Sequence, residues 1–255
     1  MTPNKIFLLE DIYKSFEVGN QQVEVLKGVS CDLDKAEFLI LFGPSGCGKS
    51  TLLHTMLGLE PPTKGQVMFL GEDFYKYDQD GRAEIRKKKV GMVYQQPYWI
   101  KALSVIENVA FPLTILGYNH SDSVKAAEEK LELVGMQDWR DYYPTELSSG
   151  QQQKVSLARA LVNNPEVIVT DEPTGNLDTK SGEELMKLIK DLNDETKTIV
   201  MVTHDLEYLS FASRILHMVD GVIDKEYKGG IDKDEITKLT FEGKKGNNHN
   251  NHNGA

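Results

Sequence analysis

The chain has 255 residues, enough for one large domain or two small ones with a full core, and its 29 basic against 39 acidic side chains leave a formal charge of -10, which excludes a nucleic-acid-coating surface. Its two cysteines, Cys31 and Cys47, fit free thiols in a reducing compartment rather than a disulfide framework. No run reaches the roughly 18 apolar residues of a spanning helix, and the apolar core of MTPNKIFLLED is too short for a signal peptide.

In chain order, IFLLEDI, VEVLKGVSCDL and FLILF mix β-branched and aromatic residues and are separated by turn breaks such as VGN, which predicts short strands in an N-terminal antiparallel sheet. GPSGCGKST follows at once, with Gly43, Gly48, Lys49 and Ser50 at the spacing of a phosphate loop, and the helical STLLHTMLG comes next with Gly58 as its stop. The residue types suit the chemistry. Gly43, Gly46 and Gly48 let backbone amides curl around an anion, Lys49 reaches the outer phosphates, and Ser50 can ligate magnesium.

The basic run Arg86 to Lys89 reads as a solvated face, and Gln95 in GMVYQQP reads locally as loop polarity. From Ser104 to Val162 the pattern is helical, with Ala126, Lys130, Leu131 and Val134 at helical spacing. Within this stretch LSSGQQQKV, Leu147 to Val155, is a small-residue turn running into a helix, the shape of a second anion site.

After Pro165 an apolar strand, VIVTDE, a helix with Leu185, Leu188, Ile189 and Leu192 on one face, and a second apolar strand, TIVMVTHD, make a βαβ unit of a buried parallel sheet. The first strand ends in Asp171, placed to hold magnesium through water, and Glu172, placed to activate a water for attack on the outer phosphate. Both acids lie at the carboxyl edge where open α/β sheets bind ligands. His204 ends the second strand, where position alone fits a structural histidine as well as one that reaches the same edge. The closing GKKGNNHNNHNGA is low-complexity and predicts disorder, with His249 and His252 read as part of a flexible tail rather than as metal ligands.

Taken together, VEVLKGVS, GPSGCGKST, VYQQP, LSSGQQQKV and TDEPTGNLD make the chain resemble, from about Ile6 to Asp224, the ATP-binding subunit of an ATP-binding cassette (ABC) transporter, and most specifically the MacB/LolD/FtsE group. The resemblance implies an α/β P-loop NTPase with a RecA-like parallel sheet core, an N-terminal antiparallel β subdomain and an inserted α-helical subdomain. Residues 1–229 would form the ATP-binding domain, with the helical subdomain about 98–162. Residues 230–255 would be a C-terminal extension, disordered at least from about 243, that exceeds what such relatives need.

It further implies ATP and Mg2+ as cofactors, ATP hydrolysis to ADP and phosphate, and a head-to-tail pairing with a second copy in which each ATP is held between one phosphate loop and the other copy's signature turn. By the same resemblance nucleotide contacts come from Phe16, stacked on adenine, from Pro44, Ser45, Cys47 and Thr51 beside the loop residues already named, and from Ser148, Ser149, Gly150 and Gln151. Gln95 joins Ser50 and Asp171 around the metal, Glu172 is the general base, His204 the γ-phosphate switch, and Asp178 links the two sites. Residues Pro97 to Leu116 would grip an integral membrane partner of the FtsX/MacB/LolC kind, which would hold the chain on the cytoplasmic face of the membrane.

Three functions fit this pattern: MacB/LolD-type export or lipoprotein extraction, FtsE-like signalling to cell-wall hydrolysis, and SufC-like assembly without a membrane partner. No nucleic-acid partner is expected. Ser149 stands where the common signature has a glycine, and Thr170 where an aliphatic residue is usual. Cys47, beside the phosphates at a helix start, is either a thiol of raised reactivity that ATP shields or a small filler between glycines.

Overall fold

The computed structural model describes residues 4–229. It opens with two long strands, β1 (Lys5–Val18) and β2 (Gln21–Asp34), joined by a tight turn at Gly19 and Asn20 and paired antiparallel from Lys5↔Asp34 to Val18↔Gln21. β4 (Lys64–Phe69) pairs antiparallel with β1, and the short β5 (Glu72–Asp73) with β4. The antiparallel sheet is therefore present, though built from longer strands than expected. Register shifts along β1 and β2 let the hairpin bend while keeping Phe7, Leu9, Ile12, Leu26, Val29 and Leu33 buried.

FLILF departs from the expectation. As β3 (Phe38–Phe42) it leaves the antiparallel sheet and lies parallel between β8 (Thr198–Thr203) and β9 (Arg214–Val219). Five consecutive fully apolar residues, all buried, suit a strand covered on both faces rather than one with a wet side. The full order of this sheet is β10-β9-β3-β8-β7-β6, with β6 (Val90–Tyr94), β7 (Val167–Asp171) and β10 (Val222–Lys228); every pair is parallel except β10 on β9.

The strands alternate between two cores. Phe38, Ile40, Ile168, Ile199 and Met201 face a cluster formed with the helices of the insert, and Leu39, Leu41, Val169, Val200 and Val202 face a cluster shared with the antiparallel sheet and α1 (Lys49–Met56). Gly58, with φ at 67°, ends that first helix as expected, its N–H donating to Thr55 O at 3.1 Å.

α2 (Gln79–Lys89), capped by Asp78, contains the basic run, and here the reading as a solvated face is only partly right: Arg86 donates to Leu57 O and Gly58 O at 3.2 Å, and Lys89 pairs with Glu166 at 3.1 Å. The insert holds α3 (Val105–Ile115), α4 (His120–Leu133) and α5 (Ser149–Leu161), each with a polar N-cap: Ser104, Asn119 and Ser148. α6 (Thr179–Asp194), capped by Asp178, joins β7 to β8 and completes the βαβ unit. Residues 230–255, with His249 and His252, lie outside the described residues. Among the described residues no helix is long and apolar enough to cross a membrane.

Candidate nucleotide site

Because β3, β7 and β8 run parallel with β8 in the middle, their carboxyl ends open at one edge of the sheet. The loop 43–48 leaves β3 there, Glu172 follows β7, and His204 follows β8. A cavity of about 650 Å³ lies at this edge, lined by Pro44, Ser45, Gly46, Gly48, Lys49, Ser50, Thr51, Glu172, His204 and Val25.

The loop is shaped by its surroundings. Gly43 is pressed on the chain from β9 so closely that a Cβ would meet Met218 O at 2.2 Å, and its φ of 154° is hard for any other residue. On its far side the loop is buttressed by the β9–β10 turn, where the Gly221 N–H donates to Cys47 O at 3.0 Å while Gly221 O accepts from Lys27 N at 2.9 Å. Lys49 is 6% exposed and folds back on its own loop, donating to Gly43 O at 2.8 Å and Pro44 O at 2.9 Å. Cys47 is buried at the foot of the loop, its thiol 3.9 Å from Lys49 Nζ and packed in the core with Leu52, Leu53 and Met218. That burial favours the filler over the exposed, reactive thiol.

Glu172 has φ of 46°, a left-handed conformation that costs a non-glycine residue about 1–3 kcal/mol, and its N–H is held by Val202 O at 2.9 Å. The conformation turns the carboxylate to the cavity, where Oε1 lies 2.8 Å from His204 Nδ1. The ring donates in this bond when Nδ1 carries its proton. Position alone left His204 ambiguous; the contact with Glu172 places it in the site. Asp171, the last residue of β7, has its carboxyl pushed up by burial first and by the Glu172 charge second, with His54 and Lys49 acting the other way.

Other expected residues lie outside this cavity. Phe16 sits on β1 opposite Val23, with Lys14 Nζ 4.8 Å over its ring, and is not among the lining residues; Val25, farther along β2, is. VEVLKGVS contains Val25, yet a valine carries no chemical signal that would mark it. Gln95 follows β6, with its side-chain amide so near Gly175 that a Cβ there would lie 2.7 Å from Nε2.

The turn 147–151 contributes nothing to the cavity of its own chain. Ser148 and Gln151 instead form a reciprocal capping box at the start of α5: Gln151 N donates to Ser148 Oγ at 3.3 Å and Ser148 N to Gln151 Oε1 at 2.9 Å. Ser148 and Ser149 are exposed and Gly150 is buried. Asp178 caps α6 in the same manner, accepting from Ser181 N at 3.0 Å and Ser181 Oγ at 2.8 Å.

One residue missed by sequence reasoning ties these parts together. Gln153, 2% exposed, donates through Nε2 to Tyr94 O and Gln95 O, both at 2.9 Å. On either side of it along α5, Gln152 accepts from Trp99 Nε1 at 2.9 Å, and Arg159 donates to Tyr98 O at 2.7 Å with its guanidinium 4.5 Å over the Trp99 ring. Burial brings Arg159 down to about 10. A glutamine within QQQ offers no sequence signal that it will be the buried one.

Comparison with known proteins agrees with this geometry. Residues 26–175 match the family model described as ABC transporter. An uncharacterized ABC transporter ATP-binding protein of Thermotoga maritima is 42% identical over 227 residues, which is 89% of this chain and 97% of the relative. The macrolide export ATP-binding/permease protein MacB of Escherichia coli K12 is 40% identical over 223 residues, 88% of this chain but 34% of MacB, so the chain spans about a third of that relative. Among solved structures, the dimeric ABC transporter cassette MJ0796 superposes with a TM-score of 0.80 at 39% identity, covering 87% of this chain and 98% of the other. The same cassette bound to ADP and Pi, a post-hydrolysis dimer, also gives 0.80, at 38% identity and the same coverage.

Proposed function

The chain belongs to the ABC transporter family and is an ATPase cassette, and from this premise we propose that two copies close head to tail around two MgATP and so drive a membrane permease. One observation carries the reading: the cavity beside the phosphate loop ends in the Glu172–His204 pair, 2.8 Å apart.

ATP binds with its phosphates in the loop 43–51 against backbone amides and the start of α1. Lys49 exchanges two neutral carbonyls for the outer phosphates, a stronger charge-assisted bond. Glu172 accepts the proton of the attacking water, and His204, bonded to Glu172 Oε1, fixes that carboxylate and faces the γ-phosphate. Ser50, Gln95 and Asp171 offer a hydroxyl, an amide oxygen and a carboxylate, a hard-oxygen set that suits Mg2+ and leaves room for phosphate and water; the upshifted Asp171 marks negative charge that a cation relieves. Held by these residues, Mg2+ would supply neutralisation of the charge that develops on the outer phosphates. Phe16, outside the cavity of the isolated chain, is assigned to stacking on the adenine.

Ser148, Ser149, Gly150 and Gln151 are assigned to the γ-phosphate of the other copy's ATP, and Asp178 to the link between the two sites. The dimeric MJ0796 cassette supports this pairing. The permease contact is assigned to the exposed face of Pro97 to Leu116, where Tyr98 is 74% and Ile100 37% exposed beside a groove that includes Trp99 and Pro144. MacB relatives named as ATP-binding/permease proteins support a permease as the partner, and that partner would hold the chain at the cytoplasmic face of the membrane.

Glu172→Gln tests the reading. The variant should bind ATP, hydrolyse it about 10²–10⁴-fold more slowly, elute as a dimer with ATP in light scattering, and co-purify a polytopic membrane protein from detergent-solubilised native membranes. Near-normal turnover would remove Glu172 as the base. Recovery of soluble proteins alone would remove the permease.

A further inference from the structure

Gly150 of the signature turn is buried although its neighbours Ser148 and Ser149 are exposed. What buries it belongs to α6: a Cβ built on Gly150 would lie 2.8 Å from both Cβ and Oγ of Ser181, with the Ser181 Cα at 4.0 Å. No rotation of the serine hydroxyl relieves the contact with its Cβ. Nor is the hydroxyl free to turn, because Ser181 Oγ donates to Asp178 Oδ2 at 2.8 Å while Ser181 N donates to Asp178 Oδ1 at 3.0 Å. One turn farther along both helices, Lys154 pairs with Glu184 at 2.6 Å, which holds α5 and α6 in the same register.

We propose that Ser181 is a positioning residue that locks the signature turn to the Asp178 turn within one chain, so that the turn assigned to the other copy's nucleotide and the residue assigned to the link between the two sites move as one body. The inference rests on the two-copy reading above. It gives Gly150 a second reason to be glycine: the space of its Cβ is taken by Ser181 inside the same chain, independently of how closely a phosphate approaches its backbone. It also explains how a neutral helix cap can report to Asp178 with no direct bond between them. Contact between Gly150 and Ser181 sets the start of α6, and Ser181 holds both carboxylate oxygens of Asp178.

A double-mutant cycle tests this, with Gly150→Ala, Ser181→Gly and the pair. Each is read by ATP hydrolysis, by ATP-dependent dimerisation in a Glu172→Gln background, by fluorescent ADP binding to the isolated chain, and by thermal unfolding. Gly150→Ala should leave ADP binding intact, since the phosphate loop is untouched, yet slow hydrolysis about 100-fold, as a misplacement of about 1 Å can. Ser181→Gly frees Asp178 and should cost about tenfold on the same scale. In the Ser181→Gly background the added methyl meets nothing nearer than the Cα, so Gly150→Ala should cost hydrolysis and dimerisation several-fold less there than in the parent, any loss toward the phosphate being common to both backgrounds.

Equal losses from Gly150→Ala in both backgrounds would overturn the proposal. So would coupling seen in the unfolding midpoint but absent from hydrolysis, which would reduce the contact to packing. Failure of the Glu172→Gln parent itself to dimerise with ATP would instead remove the two-copy reading, which keeps the two failures distinct.

Discussion

The chain has two small-residue turns that run into helices, and they are built on opposite principles. The turn at 43–48 rests on a strand buried on both faces, is pinned by Met218 O and the β9–β10 turn, and has the Lys49 ammonium inside it and two acids, Asp171 and Glu172, across from it. Its charges are not at rest: the lysine is held by neutral carbonyls, the Asp171 carboxyl is pushed up, and Glu172 sits in a left-handed backbone conformation. The turn at 147–151 is quiet by comparison. Its capping box is closed, Lys154 is already paired with Glu184, and Asp178 nearby is satisfied by Ser181. On the proposed reading the first turn is an anion site that supplies its own charge, while the second offers only neutral donors and gains a use when the other copy brings a phosphate to it. The shape of the sequence is alike in both, and the surroundings decide the role.

Removing Lys49 should break the comparison most sharply. Lys49→Ala takes the single cation out of the loop, and nucleotide affinity of the isolated chain should fall about 100-fold, the low end of the cost of truncating one partner of a buried charge pair. Equilibrium titration with fluorescent ATP measures it; unaltered affinity would mean that the back-folded lysine never turns to the phosphates.

Ser148→Ala is the counterpart in the other turn. It opens the capping box and should cost about 1 kcal/mol of stability, and it should weaken ATP-dependent dimerisation of the Glu172→Gln chain. Nucleotide affinity of the isolated chain should not change, because the 147–151 turn has no side chain in that cavity. A matching loss of monomer affinity would erase the distinction between the two turns.

Much of the first turn was legible in the sequence because its chemistry is local: loop, lysine and serine are contiguous, and the strand before and helix after them carry their own patterns. Asp171 and Glu172 were legible as a strand end, and the parallel order of β3, β8 and β7 brings that end to the loop. What was not legible depends on contacts between distant segments. FLILF belongs to the parallel sheet because β8 and β9 flank it on both sides, which a five-residue apolar run cannot declare. The β9–β10 hairpin, which buttresses the loop through Gly221, has no motif at all. Gln153 among three glutamines is chosen by the phase of α5, and the pairing of Gly150 with Ser181 by the angle between two helices. Thr170 is a departure that the fold tolerates without using: its Oγ1 is buried with no hydrogen-bond partner.

The smallest expected effect is also the one that separates the two regions by sign. Asp171 and Asp178 lie seven positions apart in the chain, one on each side of the comparison, and their environments shift them in opposite directions from the ordinary 3.8. Burial and the Glu172 charge raise Asp171, so the folded chain holds that proton more tightly than the unfolded one. Its contribution to stability is present below 3.8 and is lost as pH rises through the folded value. At neutral pH the ionised carboxyl therefore weighs against the fold, and Asp171→Asn should unfold at a higher temperature than the parent in the absence of nucleotide and magnesium. That gain should shrink as pH falls toward 3.8. Asp178 is lowered by the hydrogen bonds from Ser181, so its contribution is present above 3.8 and is lost only as pH falls through its depressed folded value. Asp178→Asn, which keeps a capping side chain but not the charge, should unfold below the parent at neutral pH and approach it only in stronger acid. One substitution type and one measurement, the unfolding midpoint against pH, thus give opposite signs at the two turns. Shifts of the same sign at neutral pH would mean that the first region is no more strained than the second, and that Asp171 is not a carboxylate waiting for a cation.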